Sequence, residues 1–155
     1  MVERTLSAPP ARVFAALTVA AELERWFFTE ARTDPRESGS YDIWWRSLHD
    51  ASRDHRRSGN YLEFAPGERL VFEWSGPRSG PNGWDQGVTI VTINLRPVSD
   101  GTRLRLEHSG WPETPQGKEA CRNHQSGWEF YVENLRRYLD GEPDAREHEF
   151  GQKVR

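Results

Sequence analysis

Two histidines are the side chains whose positions best suit chemistry. His108 follows Leu104 and Leu106 at two-residue spacing, so the three share one face of a predicted strand. His124 lies on the apolar stripe of a predicted helix. Imidazole exchanges a proton near neutral pH, so both are candidate acid–base groups or hydrogen-bond partners for the polar end of a ligand. The alternative is that each histidine bonds a backbone carbonyl or a water, as most buried polar groups do.

A cysteine stands three residues before the second histidine. Cys121 and His124 share a helix face, so a thiolate–imidazole pair is one interpretation of their spacing. Three-residue spacing on one rigid helix seldom aligns the two groups, so a small buried apolar role for the cysteine is favoured. A metal site needs three or four ligands, and His49, His55 and His148 lie in polar segments without the spacing of known zinc motifs. We expect neither a metal ion nor a cofactor.

Aromatic side chains are the second group of candidates, since the chain has seven tryptophans. Core packing explains each inward-facing aromatic singly, but several facing one space favour a pocket for flat apolar ligands. Trp84 and Trp111 flank strands, where they either gate such a cavity or cap its end. The candidate ligand-binding residues are Trp26, Trp45, Tyr61, Phe72, Trp74, Val91, Ile93, Leu106, His108, Cys121, His124 and Trp128.

Two charged features have a functional and a simpler interpretation. Glu63 shares a predicted face with Tyr61, and a buried carboxylate there would be an acid or base with a raised pKa. A one-residue slip reverses every side chain, and we favour the solvated position for this carboxylate. A short basic patch, with no aromatic residue for stacking, is formed by Arg53, His55, Arg56 and Arg57. A solvated loop is favoured over a phosphate site or an acidic partner for this patch.

One long helix, predicted over residues 114–139, must position the second histidine. Thr114 is a good N-cap, and Pro115 fits the first helical position. Gly141 fits the residue just past the end, and Pro143 forbids continuation.

Two glycines stand inside this predicted helix, and each costs about 1 kcal/mol relative to alanine. They are Gly117 and Gly127. Their presence suggests that something approaches the helix backbone closely at both positions.

Short strands precede that helix. The chain begins with an edge strand over residues 1–6, and a helix opens near Pro9 and Pro10. Thr18 is predicted to cap a second short helix. Further strands are predicted over 41–45, 59–64, 70–75, 88–98 and 102–108. Loops are predicted over 47–57 and 76–83, and residues 29–39 form either a loop or a loop that contains a short strand. The order of one strand, two helices, five or six antiparallel strands and a long helix predicts an α+β fold.

The totals exclude several classes of protein. A chain of 155 residues predicts one domain, over 1–140, followed by a polar tail over 141–155 that is disordered or loosely docked. The single cysteine excludes an intramolecular disulfide. A net charge of −3 argues against nucleic-acid binding. With no signal peptide and no apolar run of membrane-spanning length, a cytoplasmic protein without a membrane span is expected.

Five stretches, in this order, resemble a known family. They are SAPPARVFAALT, ELERWF, GNYLEFAPGERLVFEW, GTRLRLEHSGW and HQSGWEFYVENLRRYL. The resemblance is to the SRPBCC superfamily, which has the START and pollen-allergen helix-grip fold, and it covers residues 3–140. Within it, the chain is similar to homologues of the activator of the heat-shock-protein-90 ATPase. The five stretches in this order are specific to the family, whereas any one of them alone is weak evidence of the resemblance.

The resemblance implies a curved antiparallel sheet around the long helix, with a cavity between them for a hydrophobic, aromatic or lipid-like small molecule. The main expectation is therefore ligand binding. A cyclase- or hydrolase-type enzyme using the two histidines is the first alternative, since a shared fold does not transfer activity. A chaperone-associated interaction module is the second. Eukaryotic co-chaperones of the family carry an additional N-terminal domain, and this chain starts at the first strand, so a chaperone interaction is not expected. The sequence leaves open whether the chain forms a homodimer.

Overall fold

The described part of the chain has three α-helices, a single 3₁₀ turn over Ala51–Arg53 and seven strands. The computed structural model describes residues 1–78 and 83–146. In chain order the elements are β1 (Val2–Leu6), α1 (Pro10–Thr18), α2 (Ala20–Trp26), β2 (Glu30–Thr33), β3 (Ser40–Trp45), β4 (His55–Ala65), β5 (Arg69–Trp74), β6 (Thr89–Val98), β7 (Gly101–Ser109) and α3 (Pro115–Leu139).

The strands form one antiparallel sheet in the order β1-β7-β6-β5-β4-β3-β2. The chain crosses from one edge strand, β1, to the other, β2, through α1 and α2, and then returns strand by strand. This arrangement confirms the α+β helix-grip fold. It also confirms six strands after the two short helices.

The β6–β7 hairpin illustrates how sequence alternation sets the inner face. Leu104 and Leu106 are buried, whereas Arg103 and Arg105 between them are exposed. Leu106 pairs with Ile93 of β6, and His108 pairs with Val91. The predicted inward direction of His108 is therefore confirmed, because it continues the buried alternation.

Helix α3 lies across the inner face of the sheet. Its predicted N-terminus is confirmed, because Thr114 Oγ1 accepts a hydrogen bond from the backbone N–H of Gly117 at 3.0 Å. Trp128, Val132 and Leu135 are buried on the side that faces the sheet. None of the helices in residues 1–78 and 83–146 is long and apolar enough to cross a membrane.

Two local predictions were wrong. Thr18 does not cap α2. Its hydroxyl donates to the carbonyl oxygen of Phe14 at 2.8 Å, within α1, and Val19 takes the N-cap position without a side-chain bond. Residues 55–57, which the sequence placed in a loop, begin β4 and pair with β3. Strand pairing there outweighs the local polarity that favours a loop.

The sequence leaves two alternatives for the tail, disordered or loosely docked, and the described start of the tail is docked. The Arg146 side chain is buried and donates to the carbonyl oxygens of Glu24, Arg25 and Phe28, at the end of α2 and just beyond it. Asp144 pairs with the same guanidinium at 2.7 Å. These bonds hold residues 144–146 against α2. Residues 147–155, and with them His148, lie outside the described residues.

Candidate functional site

Two adjacent spaces lie between α3 and the inner face of the sheet. The first is an interior cavity of about 40 Å³, and the second is a groove of about 190 Å³ that opens to the surface. Phe27, Trp74 and Trp128 line both spaces and form the wall between them. Their shared wall makes the two spaces neighbouring parts of one region.

The interior cavity brings together most of the predicted pocket residues. They are Trp26, Tyr61, Phe72, Trp74, Ile93, Leu106 and Trp128. A cavity of about 150 Å³ is known to admit benzene. At about 40 Å³ this cavity is far smaller, so the protein's own rings fill most of the interior. Neighbouring rings confirm the close packing, with the Trp74 and Trp128 centroids 5.2 Å apart.

The groove is formed by one face of α3 and by strand ends. Asn123, Gly127 and Tyr131 follow each other at four-residue spacing, so they form one stripe of the helix. Trp45 and Trp74 are the last residues of β3 and β5 and supply the aromatic wall of the groove. The groove is therefore largely apolar and aromatic, with a few polar groups at its edge.

The two glycines of α3 differ in their surroundings. A Cβ atom on Gly117 would lie 2.0 Å from the carbonyl oxygen of Pro112, so the close backbone approach expected there is confirmed. The close approach expected at Gly127 is wrong, because a Cβ atom there would meet no described atom within 4 Å and Gly127 lines the groove instead. The absence of a side chain at Gly127 therefore widens the groove.

The hydrogen bonds of His108 fix its protonation state. Trp128 Nε1 donates to His108 Nδ1 at 2.9 Å, and an indole N–H can only donate. The ring proton therefore sits on Nε2, which donates to Thr89 Oγ1 at 2.7 Å, while that hydroxyl donates to the carbonyl oxygen of Trp74. Burial, and then the neighbouring His124, lower the pKa of His108 to about 3.

The same arrangement recurs at His124. Its Nε2 accepts from Trp74 Nε1 at 3.2 Å, so Nδ1 carries the proton and donates to the carbonyl oxygen of Ala120 at 2.9 Å. Burial lowers the pKa of His124, the hydrogen bond to Ala120 offsets part of this effect, and the charge of Arg57 again lowers the pKa. Both histidines are thus neutral, with both ring nitrogens bonded inside the protein. This geometry favours the structural interpretation of the pair over an acid–base role.

Two tryptophans close the end of the molecule beside the histidines. The Trp111 ring centroid lies 4.3 Å from that of His108 and 4.7 Å from that of His124, and the Trp84 centroid lies 5.5 Å from that of His124. Trp84 is buried, and its Nε1 donates to the carbonyl oxygen of Gly87. These contacts favour the interpretation that Trp84 and Trp111 cap the end of the cavity over the interpretation that they gate it.

Other candidates lie outside both spaces. Three predicted ligand-binding residues line neither the cavity nor the groove. They are Val91, which is buried in the core, His108, and Cys121, which is partly buried on α3. Glu63 is exposed and pairs with Arg69 at 2.7 Å, because the β-bulge between Tyr61 and Glu63 shifts the register. The solvated interpretation of this carboxylate is confirmed. No group of three His, Cys, Asp or Glu in residues 1–78 and 83–146 could hold a metal ion.

The sequence reasoning missed Arg57, which lines the groove. The sequence groups Arg57 with the solvated basic patch, but the residue lies on β4 directly opposite Ile43, a fully buried residue. Counting back in steps of two from buried Tyr61 gives positions 59 and 57. That alternation would have placed Arg57 on the inner face.

The chain matches the family model described as Activator of Hsp90 ATPase homolog 1-like protein over residues 7–140. None of the curated proteins matches the chain.

Solved structures of similar chains share the fold. Protein MLL2253 from Mesorhizobium loti is 27% identical, with a TM-score of 0.74 over 90% of this chain and 95% of that chain. Protein CV1439 from Chromobacterium violaceum is 29% identical, with a TM-score of 0.73 over 92% and 96%. The Aha1 dimer from Colwellia psychrerythraea is 19% identical, with a TM-score of 0.66 over 89% and 92%, and shows likeness of fold alone.

Proposed function

The chain belongs to the family of Activator of Hsp90 ATPase homolog 1-like proteins, and we propose that it binds a small aromatic or hydrophobic molecule between its sheet and α3. The observation that carries the proposal is the aromatic-walled groove beside Gly127, where the helix leaves a space that no described side chain fills. Concave sites lined by aromatic side chains with a few polar groups are the usual form of small-molecule sites.

The volume of the groove sets the size of the ligand. A groove of about 190 Å³ exceeds the roughly 150 Å³ that accommodates benzene, so a ligand with one aromatic ring and a short substituent fits. A larger ligand requires Phe27 or Trp128, in the shared wall, to move toward the interior cavity. The proposal is therefore for a small ligand at the groove, in contact with the aromatic wall.

The hydrogen bonds do not favour an enzyme that uses the two histidines. A general acid or base must reach the substrate proton, and both nitrogens of His108 and of His124 already have protein partners. If the protein only binds its ligand, without acid–base chemistry, both histidines can keep their present hydrogen-bond partners.

The test is a thermal-shift screen with neutral one-ring aromatics, for example indole and phenylacetamide, on three proteins. They are the natural chain, Gly127→Leu and Ser126→Leu. The first variant fills the groove, whereas the second adds the same side chain at an exposed neighbouring position that does not line it. A ligand at one hundred times its Kd should stabilise the natural chain by about 2.7 kcal/mol.

The expected result is a rise in midpoint that Gly127→Leu abolishes and Ser126→Leu retains. A rise of equal size in both variants would place the ligand outside the groove and overturn the proposal. A folded natural chain that responds to no compound in an extended panel of small aromatics would also overturn it.

A further inference from the structure

We propose that the ligand of the groove is an aromatic carboxylate whose negative group pairs with Arg57, while its ring lies against the aromatic wall. The inference rests on the proposed function and deepens it, because it names the chemical class that the site takes. It is carried by the position and the unsatisfied bonding of one guanidinium.

Arg57 lines the groove with few partners of its own. Its Nη1 donates to the carbonyl oxygen of Arg56 at 2.7 Å, and its guanidinium lies 4.6 Å from the centroid of the Trp84 ring. Its Nε is buried and has no hydrogen-bond partner among the described residues. No ion pair joins Arg57 to any carboxylate in the described part of the chain.

This state is unusual for a partly buried cation. Charged groups that leave water are normally paired, because desolvation without a counter-charge is costly. Burial lowers the pKa of Arg57 to about 10, so the guanidinium still carries its charge at neutral pH. The adjacent Arg56 provides the contrast, since it is exposed and forms two hydrogen bonds to the carboxylate of Asp42.

The other polar groups of the groove do not offer an anion the same interaction. Both ring nitrogens of His124 are bonded within the protein, and its neutral ring brings no charge. The Asn123 side chain, which also lines the groove, contributes an uncharged amide. Arg57 is therefore the positive group of the groove lining, and its planar fork matches a carboxylate in a bidentate geometry.

The aromatic wall defines the remainder of the ligand. Trp45, Trp74 and Tyr131 lie beside Arg57 in the same groove. After a carboxylate takes the place next to the guanidinium, about 190 Å³ leaves room for one ring and a short linker. Phenylacetate has this shape, and phenylacetamide is its uncharged counterpart of nearly the same size.

The experiment compares phenylacetate with phenylacetamide by titration calorimetry at neutral pH and low salt. The proteins are the natural chain, Arg57→Gln and the control Arg56→Gln, which removes the neighbouring charge outside the groove. We expect the acid to bind the natural chain at least ten-fold more tightly than the amide. Arg57→Gln should remove that preference by weakening the acid alone, and Arg56→Gln should keep it.

Two further measurements keep the inference falsifiable. Arg57→Lys retains the charge without the fork and should show an intermediate preference for the acid, and circular dichroism confirms that each variant is folded. Equal binding of acid and amide by the natural chain would overturn the inference and leave the proposed function intact. Failure of both compounds, with no neutral aromatic binding either, would overturn both.

Discussion

Trp128 Nε1 donates a hydrogen bond to His108 Nδ1 over 2.9 Å, and it joins the long helix to the seventh strand. Because an indole N–H cannot accept a proton, this nitrogen of His108 is bonded only while it is unprotonated. Trp74 imposes the same condition on His124. The native structure therefore requires two neutral imidazoles in contact with tryptophan, with ring centroids 5.3 Å apart.

The first prediction concerns stability at acid pH. The unfolded chain protonates histidine below about pH 6.5, whereas His108 stays neutral in the folded protein until about pH 3. The unfolded state thus binds more protons in this window, and the free energy of unfolding falls as the pH falls, by at most about 1.4 kcal/mol per pH unit for each such histidine. We expect His108→Gln to lessen this slope between pH 6.5 and 5, measured by urea denaturation.

The control for that experiment is His49→Gln, which changes an exposed histidine. Its unfolding free energy should follow that of the natural chain over the same pH range. Equal slopes in His108→Gln and the natural chain would contradict a buried neutral imidazole at position 108.

The second prediction is that one substitution at Gly127 raises the stability of the protein and lowers its affinity for the ligand. Gly127→Ala should stabilise the protein by about 1 kcal/mol, because alanine is the better helix former and a Cβ atom meets no described atom within 4 Å. The same methyl group projects into the groove, so affinity for phenylacetate should fall about three-fold or more. Denaturation and calorimetry on one preparation measure both effects. Unchanged affinity would show that the ligand does not approach the helix here.

The third prediction is that the same substitution at the other helical glycine lowers the stability of the protein. Gly117→Ala should destabilise the protein by about 1–3 kcal/mol, because its Cβ atom would lie 2.0 Å from the carbonyl oxygen of Pro112. Helix propensity alone favours alanine, so a stabilised variant would contradict the close approach. Thermal unfolding of the two alanine variants side by side separates propensity from steric conflict.

The fourth prediction concerns the docking of the tail. Asn134 is buried on α3, where its Nδ2 donates to the carbonyl oxygen of Trp26 at 2.7 Å and its Oδ1 accepts from the backbone N–H of Ala145 at 2.8 Å. Asn134→Leu leaves both groups without this partner, and each buried unpaired group costs about 1–3 kcal/mol. We expect a loss of roughly 3 kcal/mol in urea denaturation.

Gln116→Ala is the matched control for that variant, since it removes an exposed amide from the same helix. Its stability should stay within about 0.5 kcal/mol of the natural chain. A loss of similar size in both variants would mean that the buried hydrogen bonds are not the cause.

Much of the fold could be predicted, because its main features are encoded locally. Helix α3 has a capping threonine, a proline at its first position and an apolar stripe, and it begins and ends where these residues indicate. The inward direction of His108 follows from the alternation with Leu104 and Leu106. Such periodicity places a side chain on a face, but it does not say what the side chain contacts there.

The remainder depends on contacts between distant segments. Arg57 lies in a polar stretch that favours a loop, and its pairing with Ile43 is what extends the strand, and with it the alternation counted from Tyr61, back to this residue. Arg146 is buried because three carbonyl oxygens near the end of α2 converge on it. The cavity volume depends on how the rings pack. A list of inward-facing aromatics therefore predicts a pocket without predicting how far it is filled.

The close packing of the tryptophans also gives the protein its own optical reporter. Trp45 and Trp74 line the groove with ring centroids 6.2 Å apart, and Trp74 and Trp128 lie 5.2 Å apart. Rings held in fixed asymmetric surroundings give strong near-ultraviolet circular dichroism. A ligand that enters the groove changes the surroundings of these chromophores directly. Occupancy of the groove can therefore be followed by near-ultraviolet circular dichroism on the unlabelled chain. Gly127→Leu, whose groove is filled, is the reference that should not respond to the ligand.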